Sequence, residues 1–271
     1  MNAFDVPTKW HPEFTMAFQP IVDTRAENPI FAYEALVRGP AGEGADAIFA
    51  AVPETSLIAF DALCRSRAIE IAASLGLTAN LSVNVSAPAI SDRHYGLHTS
   101  FKTARQVGWP IERLIFEMTE HNPVKDFHRL GRWVEAARSR NVTIAIDDFG
   151  AAYAGLNTLL LLRPQMIKLD LALIRGIDTD RGRQALVKGL LDACTCLGCS
   201  VVAEGVETAA EFSTLSRLGI TLMQGYFFAM PALASFPQIT RTAFAAPDEN
   251  LAALASTASL QAGAIPQYHP A

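Results

Sequence analysis

The chain has 271 residues, half of them apolar, with a formal net charge of −5 and a pI near 5.7. That length fits one large domain or two small ones. The acidic balance argues against nonspecific binding to DNA, RNA or an anionic membrane surface, though not against a small anionic ligand held through metal ions. No apolar run reaches membrane-spanning length and the opening residues carry no targeting signature, so a cytoplasmic protein is expected.

After a lead-in over 1–13, short apolar runs at 15–22, 30–37, 81–86, 114–119, 143–146, 166–169, 200–203 and 220–224 predict strands. Apolar residues at three- and four-residue spacing predict helices over 59–75 and 126–140. A short turn and a long helix are expected within 171–198, and a further helix at 209–218. Alternation of this kind implies parallel strands with helical crossovers, and eight strands suggest an α/β fold of the TIM-like (β/α)8 barrel type. The gap 23–29 is too short for a parallel crossover, which needs about a dozen residues, so the first strand is expected to run antiparallel to the second. Gly150 and Gly155 have P-loop spacing, but Leu156-Asn157 stand where Lys-Ser/Thr is required, and that motif is rejected. From about residue 245 the composition shifts to Ala, Ser, Pro and Gln, so one domain is expected over 14–244 and a partly disordered tail over 245–271.

Strand after strand ends in a polar residue: Glu34, Asn84, Glu117, Asp147 with Asp148, Lys168, Glu204 and Gln224. Glu120, Asp170 and Glu207 follow close behind, and Arg38 lies four residues after Glu34. Barrels of this type build their sites at the C-terminal strand ends. Taken singly, Glu34 and Arg38 read as surface charges, Lys168 as a solvent-facing lysine and Asp147-Asp148-Phe149-Gly150 as an Asx turn. Taken together they place many carboxylates at one mouth, where they repel unless protonated or neutralised by a cation. Carboxylates plus an Asn carbonyl form a hard oxygen donor set that suits Mg²⁺ or Mn²⁺ rather than Zn²⁺. Side chains alternate along a strand, so one of Asp147 and Asp148 must use the strand end to turn back. Such a pair can serve two cations, an arrangement that stabilises both oxygens in phosphodiester hydrolysis. Lys168 in that mouth can orient or help deprotonate a metal-bound water, or bind a phosphate oxygen. The histidines at 11, 94, 98, 121, 128 and 269 do not fall at strand ends, and G-x-S-x-G and H-E-x-x-H are absent. Cys194, Cys196 and Cys199 read as small side chains in a reducing compartment, since a metal site there lacks a fourth ligand.

Glu34-Ala35-Leu36 after an apolar strand resembles the motif that names the EAL domain, a bacterial cyclic di-GMP phosphodiesterase. The resemblance runs from Ala17-Phe18-Gln19-Pro20 to Gln224-Gly225-Tyr226-Phe227. It passes through Ser82-Val83-Asn84, Glu117-Met118-Thr119-Glu120, Asp147-Asp148-Phe149-Gly150, Ile167-Lys168-Leu169-Asp170 and Ala203-Glu204-Gly205-Val206-Glu207-Thr208. Tyr33-Glu34-Ala35-Leu36-Val37-Arg38-Gly39 looks most like the branch fused to blue-light sensors, though no sensor is read here. The resemblance implies a barrel with an antiparallel first strand and two divalent cations, Mg²⁺ or Mn²⁺. Glu34, Asn84, Glu117 and Asp147 would hold one, and Asp147, Asp148 and Glu204 the other. It assigns Lys168 to the attacking water, with Glu34 and Glu204 beside it in the catalytic set, and Arg38, Gln19 and Gln224 to the substrate. Gln224 and Glu207 would also orient the ligands, and Glu120 would anchor the loop that couples dimerisation to metal binding. Ala152, where many relatives have Gly, and Gln165, where they have Asp, depart from the pattern.

The expected function is therefore hydrolysis of cyclic di-GMP to linear pGpG by a homodimer, with a regulatory protein as a further partner. A catalytically silent cyclic di-GMP receptor is the alternative, and a protein-interaction module that binds no nucleotide is a third.

Overall fold

A period-two alternation of side chains builds the molecule. A computed structural model describes residues 11–26, 29–92, 94–119, 127–151 and 155–239. Its strands are β1 (Thr15–Asp23), β2 (Ile30–Arg38), β3 (Asn80–Asn84), β4 (Leu114–Thr119), β5 (Thr143–Phe149), β6 (Met166–Leu169), β7 (Ser200–Ala203), β8 (Leu222–Met223) and β9 (Ala232–Leu233). Strands β2 to β8 pair in sequence order and in parallel, and β1 closes the ring by pairing antiparallel with both β2 and β8. The expected eight-stranded barrel with an inverted first strand is thus present.

The helices are α1 (Ala45–Ala50), α2 (Leu57–Ser74), α3 (Ala87–Ser91), α4 (Leu97–Gln106), α5 (Phe127–Arg138), α6 (Gly155–Leu162), α7 (Leu171–Ile174), α8 (Arg181–Leu197) and α9 (Ala209–Leu218). Local chemistry sets their ends. Asp170 caps α7, Asp180 caps α8, and Thr208 with Glu211 forms a reciprocal capping box on α9. No helix among the described residues is long and apolar enough to cross a membrane.

Three strand boundaries differ from the sequence reading by two residues or more. Strand β3 stops at Asn84 because Ser86 turns to cap α3, accepting from the Ala89 N–H. Strand β8 begins at Leu222 because the Ile220 N–H is used on Leu215 O to close α9. Strand β5 runs on to Phe149, carrying a register shift against β6 between Ile146 and Phe149. The short β9, not expected from the sequence, pairs with Ala17 and Phe18 along the part of β1 that β8 does not reach.

Ile21, Ala32, Ile115, Ala145, Met166, Val202 and Leu222 fill the barrel as one buried cluster. It forms an apolar floor. The tail at 245–271, most of the lead-in, Glu120, His121 and Ala152 lie outside the described residues.

Candidate active site

Two residues beyond each floor residue the same inward face turns polar. Ala32 gives way to Glu34, Ile115 to Glu117, Ala145 to Asp147, Met166 to Lys168, Val202 to Glu204 and Leu222 to Gln224. On antiparallel β1 the order reverses, with Ile21 in the floor and Gln19 above it. One polar layer therefore lies on one apolar layer, and the strand period alone puts it there.

Lys168 is the hub of that layer. Its side chain is 1% exposed, and its Nζ lies 2.6 Å from Glu204, 2.9 Å from Glu117, 3.0 Å from Asp147 and 3.2 Å from Glu34. Burial alone would depress the ammonium, but the charges of Asp147, Glu117, Glu204 and Glu34 reverse this and hold its pKa well above the ordinary lysine value. Four carboxylates against one ammonium leave a surplus of negative charge. Burial pushes Glu117 well up, with the Glu34 and Asp147 charges adding to it against Lys168. Glu204 is raised the same way, by burial and then by Asp147, Glu34 and Glu117 in opposition to Lys168. Glu34 goes the other way. Burial pushes it up, but Lys168 and donors on Gln224 and Asn84 outweigh this and hold it below the usual range.

Asp147 and Asp148 meet the site together because β5 bulges there. Asp148 takes a left-handed backbone, φ 54°, inside the register shift. A carboxylate oxygen from each of Asp147, Asp148 and Glu204 lies within 4.8 Å of the others. Asp147 Oδ1 is buried and accepts no hydrogen bond; its neighbour is the Lys168 ammonium. A buried acceptor without a hydrogen bond, hard oxygen donors in one cluster and surplus negative charge all fit a divalent cation.

Further contacts fix the carboxylates of this layer. Ser82 Oγ donates to Glu117 Oε1 at 2.6 Å, Asn84 Nδ2 to Glu34 Oε1 at 3.2 Å, and Gln224 Nε2 to Glu34 Oε2 at 2.7 Å. Gln224 Nε2 also reaches Gln19 Oε1, and Gln19 Nε2 donates to Ala229 O. A pocket of about 260 Å³ opens above, lined in part by Gln19, Glu34, Asp148, Asp170, Glu204 and Tyr226. Gly225 packs on the loop that follows Glu204: a Cβ there would lie 2.1 Å from Val206 O and 2.4 Å from Val206 N.

Residues 9–231 match the model of the EAL domain. The chain belongs to the EAL domain family. A standalone EAL protein from Vibrio cholerae O395, solved in its c-di-GMP-bound form, is 42% identical, with a TM-score of 0.81 over 86% of this chain and 98% of its own. Klebsiella pneumoniae BlrP1, in a manganese/cyclic di-GMP complex at pH 9.0, is 31% identical. Its TM-score is 0.80, over 86% of this chain and 59% of BlrP1. The blue light- and temperature-regulated antirepressor BluF of Escherichia coli is 27% identical over 224 residues, which is 82% of this chain and 55% of BluF. The cyclic di-GMP phosphodiesterase PA2567 of Pseudomonas aeruginosa is 32% identical over 153 residues, 56% of this chain and 26% of that protein. The chain thus spans about half the length of BluF.

Within this EAL domain the structure brings Glu34, Asn84, Glu117, Asp147, Lys168, Glu204 and Gln224 into one contact network, with Asp148 beside Asp147 and Glu204. Three other residues make contacts outside that network. Arg38 donates to Val37 O at 2.7 Å and does not line the pocket. Glu207 lines it, and its carboxylate pairs with Arg175 at 2.8 Å. Asp170 accepts from the Ala172 N–H as a helix cap. Gln165 Oε1 accepts from the Ile144 N–H, tying the start of β5.

Two contributors went unread in the sequence. Ser82 sits two residues before Asn84 on the same strand face, and that spacing was the available signal. Glu211, 5% exposed, accepts from the N–H groups of Gly176, Glu207 and Thr208 and so pins the loop after Glu204. Its signal was the Thr208-x-x-Glu211 capping pattern.

Proposed function

We propose that this EAL domain is a metal-dependent phosphodiesterase that opens cyclic di-GMP to linear pGpG. The observation that carries the reading is the cluster of four carboxylates on buried Lys168, with Asp148 beside it. The relatives described with cyclic di-GMP, and BlrP1 described with manganese, support the choice of substrate and cation.

Glu34, Asn84, Glu117 and Asp147 would hold one divalent cation, Mg²⁺ or Mn²⁺, and Asp147, Asp148 and Glu204 the second. Bound there, such cations acidify water and withdraw charge from phosphate oxygens. Lys168, held above the ordinary lysine value by its neighbours, orients the attacking water or a phosphate oxygen by donating to it. Asn84 and Gln224 grip the two oxygens of Glu34, and Ser82 grips Glu117, so these carboxylates face the site without needing to reorganise. Water attacks phosphorus, one bond to a ribose 3′ oxygen breaks, and the phosphate stays on the 5′ oxygen.

Incubation with cyclic di-GMP and either cation, followed by chromatography, tests this. Linear pGpG that disappears on chelation is the expected result. Tight binding of cyclic di-GMP with no product under either cation would instead favour a silent receptor. Self-association belongs to the same proposal. Leu156, Leu160 and Leu161 of α6 are 63%, 62% and 64% exposed, an apolar face a few residues after Asp148 that suits a second copy of the chain.

A further inference from the structure

Helix α8 ends in a Schellman motif whose two packing positions are both cysteines. Gly198 adopts the left-handed conformation, φ 68°, that this ending requires. The Cys199 N–H donates to Cys194 O at 2.9 Å and the Gly198 N–H to Thr195 O at 3.1 Å, the paired bonds of that motif. In such endings the side chains four residues before and one residue after the left-handed glycine meet, commonly as an apolar pair. Here they are Cys194, fully buried, and Cys199, 7% exposed, which the motif brings side by side; the Cys199 S–H donates to Ser200 O at 3.6 Å. Both are free thiols. Cys196 is exposed and, two residues from Cys194 on the helix, points to another side. Cys64 is buried in α2.

We propose that Cys194 and Cys199 are a redox-active dithiol, which a peroxide converts into a disulfide stapling the end of α8 to the start of β7. One sulfur attacks a peroxide oxygen. The O–O bond breaks, water leaves with the thiol proton, and a sulfenic acid remains. The second sulfur displaces that hydroxyl as another water and forms the S–S bond, so two sulfurs give up the two electrons that reduce one peroxide. Cys199 is the less buried of the two sulfurs and the one a peroxide meets first, with Cys194 as the resolving partner behind it. Strand β7 starts at Ser200 and delivers Glu204, so the staple would brace the root of a strand that carries a site carboxylate. The inference is independent of phosphodiester hydrolysis.

The reduced full chain is treated with equimolar hydrogen peroxide, its remaining thiols are capped with N-ethylmaleimide after denaturation, and the tryptic peptide 189–217 is sequenced by mass spectrometry. The expected peptide has lost two hydrogens, carries one maleimide on Cys196, and returns to three maleimides after dithiothreitol. The oxidised protein should melt several degrees above the reduced one. Cys199→Ser should abolish the cross-link and Cys196→Ser should keep it. If Cys199→Ser does not fold, Cys196→Ser decides alone. A bond to Cys196, sulfinic acid on Cys199 with Cys194 still alkylated, or an unchanged melting temperature on oxidation overturns the proposal.

Discussion

Replacing Lys168 by Met keeps the stem and removes the charge at the centre of the site. Four carboxylate oxygens lie 2.6 to 3.2 Å from that charge. At an effective dielectric near 20 each pair attracts by about 5–6 kcal/mol before desolvation and carboxylate repulsion are subtracted. The net loss is bounded by the easiest relief open to the cluster, which is to take up a proton. Protonating a carboxyl with an ordinary pKa of 4.5 at about pH 7.5 costs about 4 kcal/mol, at about 1.4 kcal/mol per pH unit. Breaking a buried ion pair costs about 3–5 kcal/mol in general, in agreement. In EDTA, Lys168→Met should therefore melt roughly 6–20 °C below wild type, taking about 2–4 °C per kcal/mol for a domain of this size. Mg²⁺ or Mn²⁺ should restore part of the loss, about 2.7 kcal/mol at a hundredfold excess over Kd. Turnover of cyclic di-GMP should fall by at least about a hundredfold even when the cation restores folding. Scanning calorimetry with and without cation, followed by chromatography of product, reads all three. A wild-type melting temperature in EDTA with no gain on adding cation would refute the charge argument, whatever the activity shows.

Glu211→Ala removes three backbone acceptor bonds and should cost about 3 kcal/mol by chemical denaturation. Burial pushes the Glu211 carboxyl up, but N–H donors from Gly176, Glu207 and Thr208 hold it below its ordinary 4.5. Its contribution is thus present above pH 4.5 and lost as pH falls through the folded value. Wild type should therefore lose its margin over Glu211→Gln on acidification, and a constant margin would contradict that role. Gly225→Ala pushes a methyl into the Val206 backbone and should destabilise by about 1–3 kcal/mol while displacing the loop after Glu204, seen as a drop in both melting temperature and turnover. Leu160→Glu with Leu161→Glu should leave the fold intact and shift the mass measured by light scattering to that of a monomer; an unchanged mass would exclude α6 as the self-association face.

Most of the polar layer was readable because strand alternation is local. The residues two before Glu34, Glu117, Asp147, Lys168, Glu204 and Gln224 are all apolar, and with Ile21 they are the barrel floor. The inverted first strand followed from the length of one gap. The need for Asp147 or Asp148 to turn back was likewise legible, and the bulge with Asp148 at φ 54° is how the chain does it. Strand boundaries were less readable, because Ser86 and Ile220 are apportioned by helix caps that compete with the ladder for the same backbone groups.

What the amino-acid order determined by itself is the repeating sequence of apolar floor and polar end, since sterics at each residue impose a period of two wherever a strand forms. What only the tertiary structure decided is who touches whom across the closed ring. It placed Lys168 among Glu34, Glu117 and Asp147 of three other strands and Glu204 just beyond a fourth, put Ser82 on Glu117 and Gln224 on Glu34, and paired Glu207 with Arg175. The Gln224–Glu34 contact spans 190 residues of chain and exists because β1 joins β2 to β8. Periodicity is a property of neighbours in sequence, and closure is a property of the whole barrel.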